Sequence, residues 1–222
     1  MLCSRLAARA VAAMAVAGLA LIAVAAEDQV PLPLKLPRPG YTGTPPEDEY
    51  PEAEKMPDKP PAPPLVPKGV TQLALGKPTT SSALVLAGSL ALVTDGDKES
   101  NEGTAVELKP RTQWVQIDLG AAHRLYYIDV WHFHREANIA HDVIVQVSND
   151  ATFASGVTTL FNNDKDNSSS LGAGTNKEYW ESFQGKLISA RQISARYVRL
   201  YTRGSTFSDP LNRYTEVEVW GI

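Results

Sequence analysis

Side chains able to recognise a polyhydroxylated ligand crowd two segments of this 222-residue chain. Residues 131–138 read Trp-His-Phe-His-Arg-Glu-Ala-Asn, with His141 just beyond, and residues 203–214 read Arg-Gly-Ser-Thr-Phe-Ser-Asp-Pro-Leu-Asn-Arg-Tyr. Aromatic faces pack on apolar C–H surface, while imidazole, guanidinium, amide and carboxylate groups satisfy hydroxyls. Both segments follow a predicted strand, so both are expected as loops. His134, Arg135, Arg203 and Arg213 are the candidate polar contacts, and Phe207 and Tyr214 the candidate stacking surfaces. Trp180, with Tyr179 beside it, is an outlying candidate.

A second kind of chemistry is written in Asp95-Gly96-Asp97-Lys98-Glu99-Ser100. Hard cations take about six to eight oxygen ligands, and closely spaced acids around a glycine that permits a tight turn form such a cradle. The same turn can instead be held by its own side-chain hydrogen bonds. Asn162-Asn163-Asp164-Lys165-Asp166-Asn167 is also rich in oxygen ligands but reads as a solvated loop. The four histidines, His123, His132, His134 and His141, lie close in sequence, yet no cysteine and no His-x-x-x-His spacing supports a zinc site among them. A nucleophile elbow, a phosphate-cradling glycine loop and a paired-carboxylate segment are all missing. Carbohydrate hydrolysis by two converging carboxylates stays open on these residues.

These residues belong to one part of the chain. Residues 1–26 contain no acid, two arginines (Arg5 and Arg9) and an apolar run that starts at Ala10, followed by Glu27 and Asp28. The pattern predicts an export signal cut after Ala25 or Ala26, the alternative being a retained anchor. The only cysteine is Cys3, so the mature chain would have no disulfide and would depend on its core or a bound ion. Residues 27–67 hold 13 of the 16 prolines, a density that neither a helix nor an inner strand tolerates, and are expected as a disordered, extended spacer. Residues 68–222 form the folded domain. The net charge of −4 hides no basic patch in that domain, which excludes a nucleic-acid footprint and an anionic membrane surface as partners.

Short alternating runs separated by turn residues fill the domain: 114–119, 125–133, 142–147 and 197–202, with Val217 and Val219 sharing a face near the end. Further strands are expected at 72–75, 91–93, 158–161 and 187–188. About eight short strands with no sustained helical period predict an all-β, antiparallel jelly-roll sandwich.

Five of these pieces carry a resemblance. Thr94-Asp95-Gly96-Asp97, Trp114-Val115-Gln116-Ile117-Asp118-Leu119-Gly120, Val143-Ile144-Val145-Gln146-Val147-Ser148-Asn149-Asp150, Ala195-Arg196-Tyr197-Val198-Arg199-Leu200 and Glu216-Val217-Glu218-Val219-Trp220-Gly221 resemble, in order, the motifs of the coagulation factor V/VIII type C (discoidin-like) domain. In style the chain is most similar to bacterial family 32 carbohydrate-binding modules. The resemblance implies a non-catalytic, galactose-binding-like jelly roll that takes a carbohydrate or glycoconjugate on loops at one end. It also implies a structural calcium ion. Carried over by position, its ligands are the carbonyls of Leu92 and Asp97, the Asp95 side chain, Ser100 and the Glu216 carboxylate. One departure is Glu102, which stands where family members often place tryptophan. The alternative is an adhesion or envelope protein that binds another protein, periplasmic, at the cell surface or outside the cell.

Overall fold

Alternation of apolar and polar residues becomes pairing in the computed structural model, which describes residues 28–222. The export signal expected at residues 1–26 lies outside the described residues. The strands are β1 (Gln29–Pro31), β2 (Leu65–Pro67), β3 (Thr71–Gln72), β4 (Thr79–Ser81), β5 (Val85–Ala87), β6 (Val106–Leu108), β7 (Gln113–His132), β8 (Ile144–Ser148), β9 (Thr158–Asn162), β10 (Lys186–Thr202) and β11 (Asn212–Gly221). Nine of them, β3 to β11, join in one antiparallel network with the order β5-β6-β11-β7-β10-β8-β9, to which β3 adds on β11 and β4 on β7. The expected sandwich is present with one strand more than the approximate count.

Two long strands make the network a sandwich. The C-terminal part of β7 pairs with β11, its N-terminal part with β4, and β10 accompanies it along both. Between the two parts, Gly120 takes φ 89°, Arg191 and Gln192 take φ 53° and 60°, and the β7–β10 register slips twice. Extra residues of this kind turn a strand through a corner. Ile128, Val130, Val217 and Val219 then face Val115, Ile117, Val145, Val198 and Leu200 in one buried core. Alternation detected both halves of β7 and of β10 but not their continuity through the corner. The run at 91–93 is not a strand: it lies in the 3-10 helix Leu90–Thr94, capped by the Ser89 hydroxyl, which accepts from the Ala91 N–H at 3.3 Å.

The proline-rich stretch corrects the expectation of a disordered spacer. It is extended, as its prolines require, but β1 and β2 close into an antiparallel ladder and the stretch lies against the sandwich as a strap. Leu32 and Val66, 2% and 1% exposed, pack with Val70, Tyr126 and Trp220. Ala53 packs with Ile139 and Trp180, and the Tyr50 ring meets Trp180 edge-on at 5.5 Å. The Glu54 N–H donates to the Glu178 carbonyl at 2.8 Å, and the Glu54 carboxylate pairs with Lys186 at 2.6 Å. Proline cannot donate to a ladder, but it does not stop Leu32 from being buried, or Leu34 from being partly buried, beside prolines. Among the described residues no helix is long and apolar enough to cross a membrane.

A docked strap makes Leu32 a core residue. Leu32→Ala is expected to cost about 2–5 kcal/mol in denaturant unfolding. Leu65→Ala, at a residue 60% exposed, should cost less than about 0.5 kcal/mol. Equal, negligible effects would return the stretch to a free spacer.

Candidate functional site

Beyond the C-terminal end of β7 the chain continues as Phe133, His134 and Arg135, and the loop that leads into β11 comes back beside it. Phe133 and Phe207 meet there edge-to-face, centroids 5.6 Å apart. Together with Asn101, Glu102, Glu107, Arg135 and Arg213 they line an open cleft of about 330 Å³. Arg213 is fixed in it: Nε donates to Glu107 Oε1 at 2.8 Å and Nη2 to Asp209 Oδ2 at 2.6 Å, with the guanidinium 5.0 Å from the Phe207 centroid. A planar cation held by two carboxylates and laid against an aromatic ring loses little entropy when it hydrogen-bonds a ligand. Arg135 is exposed and belongs to none of the salt bridges among the described residues.

The structure thus unites three of the six expected ligand contacts, Arg135, Phe207 and Arg213. It rejects two others as accessible groups. His134 is fully buried; its Nε2 lies 3.0 Å from the Lys98 carbonyl and its N–H donates to Ser100 Oγ at 2.9 Å, while burial pushes the imidazole below its ordinary pKa. Tyr214 is fully buried as well, its hydroxyl 3.0 Å from Thr202 Oγ1 and 3.2 Å from the Leu200 carbonyl, so its ring offers no stacking surface. Arg203 is exposed but lies outside the cleft, its N–H bonded to the His141 carbonyl. Trp180 is covered by the strap. Phe133, Glu107, Glu102 and Asn101 are among the lining residues that the sequence analysis does not select as ligand contacts. Phe133 had a signal, since it lies between the two histidines of an expected site segment; Glu107 had none, because only the β6–β11 pairing brings it to Arg213.

The Asp95-Gly96-Asp97 turn sits on β11. Gly96, at φ 88°, donates its N–H to Glu216 Oε2 at 3.1 Å. Glu216 is fully buried and its Oε1 has no hydrogen-bond partner. Burial, reinforced by the charges of Asp95 and Glu218, pushes its pKa up to about 9. Asp95 Oδ1 accepts from the Asp97 N–H at 2.9 Å, and Asp97 Oδ1 accepts from the Glu99 N–H at 2.9 Å, so the Asp97 carboxylate turns back into its own loop. Lys98 is committed elsewhere, 2.6 Å from Glu218 and 5.0 Å from the Trp131 ring centroid. An orphaned, buried carboxylate oxygen next to a second acid fits a divalent cation, which would offset the desolvation that now favours the protonated form.

The other ion readings separate as well. The histidines do not converge: His132 Nδ1 is 2.7 Å from Glu181, His141 Nδ1 is 2.8 Å from Glu178, and His134 meets the Lys98 carbonyl. Asp142, Asp164 and Asp166 bring their carboxylates within 4.8 Å of one another. Their oxygens are nevertheless engaged by Ser168 and Ser169, and of the stretch expected as a solvated loop Asn163 and Asp164 are buried while 165–167 are exposed.

No protein-family model and no curated protein sequence matches the chain. Solved structures do. The module CpGH89CBM32-4 of Clostridium perfringens, in complex with GlcNAc-α-1,4-galactose, superposes at TM-score 0.52 and 13% identity over 70% of this chain and 97% of its own. A family 89 glycoside hydrolase of C. perfringens superposes at 0.51 and 16% over 68% of this chain but only 14% of its own. A Streptococcus pneumoniae fucose-binding module, SpX-3, gives 0.49 and 16% over 68% and 98%. The fold is the discoidin-like, galactose-binding-like jelly roll found in carbohydrate-binding modules.

Core burial of Tyr214 has a measurable consequence. Tyr214→Phe should lose about 1 kcal/mol of stability through its two hydroxyl contacts while leaving any ligand affinity unchanged. A drop in affinity at unchanged stability would put the hydroxyl in the site.

Proposed function

We propose that this protein is an exported, non-catalytic carbohydrate-binding module that takes a glycan in the cleft between Phe133, Phe207, Arg135 and Arg213. The observation that carries this reading is the pairing of two partly exposed aromatic rings with one fixed and one free guanidinium, rimmed by Asn101, Glu102 and Glu107. Aromatic edges and faces suit the apolar C–H surface of a sugar ring, and the fork of donors suits its hydroxyls. The fold's neighbours that bind glycans support the same assignment. Export rests on the leader, residues 1–26.

Calcium belongs to the proposal as a structural ion. The carbonyls of Leu92 and Asp97, the Asp95 carboxylate, Ser100 and the orphaned Glu216 Oε1 would hold it. Ser100 also accepts from His134, whose neighbour Arg135 lines the cleft, so the ion would stabilise the loop that forms one wall.

A glycan array with the full chain tests the ligand. A set of related glycans should bind and should be lost in Phe207→Ala and Arg135→Ala, with Arg203→Ala unaffected. A blank array from folded protein would shift the assignment to a protein partner. For the ion, millimolar calcium should raise the melting temperature of the wild type, because a ligand bound only to the folded state stabilises it. Glu216→Ala should abolish that rise; identical melting curves in calcium and in chelator would overturn the ion.

A further inference from the structure

The strap does more than cover a sheet face. Residues 38–40 pass directly over the loop that carries Arg135. Gly40 is seated so closely there that a Cβ would collide with the His134 carbonyl oxygen and the Arg135 Cα, so the approach requires glycine. Beside it the Arg38 N–H donates to Glu99 Oε1 at 3.2 Å and the Arg38 side chain reaches the same carboxylate through Nε at 3.4 Å. Among the described residues the terminal guanidinium nitrogens of Arg38 have no hydrogen-bond partner, and the side chain is 82% exposed.

Between this piece of strap and the loop at Glu99 and Ser100 lies a second cavity of about 240 Å³. Asn101 and Arg135 line both this cavity and the aromatic cleft. The two chambers are therefore neighbours that share a wall, one aromatic and one polar. A glycan long enough to extend from Phe133 and Phe207 past Arg135 would reach the polar chamber.

Resting on the glycan reading of the cleft, we infer that the proline-rich strap completes the binding site. Arg38 forms a second subsite, which makes the ligand an oligosaccharide rather than a lone terminal sugar. Gly40 is the positioning residue that lets the strap reach the loop. The guanidinium of Arg38 offers its terminal nitrogens to hydroxyl or ring-substituent oxygens of the second sugar.

Calorimetric titrations of the full chain with galactose against GlcNAc-α-1,4-galactose, and with glucosamine against a chitosan trimer, test this. Wild type should bind the oligosaccharide of at least one pair about tenfold more tightly than its monosaccharide, the weight of one hydrogen bond to a charged group. Arg38→Ala should erase that advantage with monosaccharide affinity and melting temperature unchanged. Gly40→Val, which lifts the strap, should erase it as well. A full oligosaccharide advantage in Arg38→Ala, or none in wild type, overturns the second subsite, while monosaccharide binding that depends on Phe207 keeps the glycan cleft intact. Binding of none of the four sugars by folded wild type overturns both.

Discussion

Carboxyl groups withdrawn from water on β7, β11 and the segment before β10 constrain everything that surrounds them. Asp129, Glu181, Glu216 and Glu218 are each no more than 6% exposed. Isolated carboxylates are costly in such places, so each must find a cation, a donor or a proton. Glu218 takes Lys98, Glu181 takes His132, and Glu216 takes the Gly96 N–H. Asp129 has no partner on either oxygen, and burial raises its pKa well above the ordinary range, with the charge of Glu218 adding to the effect. Two of these compensations come from the single loop at residues 95–100, which is thereby pinned to β11. The loop in turn holds His134 through the Lys98 carbonyl and Ser100, and Arg38 of the strap through Glu99. The cleft inherits its shape from that pinning, since Asn101 and Glu102 continue directly from the pinned loop.

At Glu216 the proposed ion and a proton would compete for the same place. With a pKa near 9 it is protonated at neutral pH in the absence of a cation. A divalent ion contacting its free oxygen and Asp95 would replace that proton and convert two repelling acids into ligands. The Asp97 carboxylate accepts from the Glu99 N–H through Oδ1, and the Asp97 atom that the family resemblance implies as a ligand is instead its carbonyl. The adjacent Lys98 does not neutralise the pair because its ammonium group is held by Glu218 against Trp131.

Much of the fold was legible because period-two alternation survives in β7, β8, β10 and β11, and because five short motifs keep the order of a known jelly roll. The site was legible in part, and parity explains where reading stopped. Ile128, Val130 and His132 alternate onto one side of β7, and extending that parity places His134 inside and Phe133 and Arg135 outside, as observed. The information was there, beyond the last strand residue. Tyr214 is different. Counting back from Val219 and Val217 puts it on the outer face, but the β7–β11 register slips between Tyr214 and Glu216, and the bulge turns Tyr214 into the core and Arg213 out to the cleft. A single extra residue reverses the parity, and nothing in the local residue types announces it.

The strap was illegible for another reason. Proline density describes what the backbone cannot do, namely join a helix or an inner ladder, and so composition reads the stretch as free chain. Docking depends on a receiving surface, and that surface is made from residues far apart in sequence: Tyr126 on β7, Trp220 on β11, and Trp180 ahead of β10. In the sequence Trp220 sits on the outer face of the last strand and Trp180 resembles a stacking platform for a ligand. Both are instead platforms for the chain's own leucines, alanine and tyrosine. Burying them against a pre-extended segment costs less conformational entropy than folding a flexible one, because proline has already restricted the unfolded chain. The same stiffness carries Arg38 and Gly40 across to the Arg135 loop, so the part of the sequence with the least regular structure holds one wall of the cavity beside the cleft.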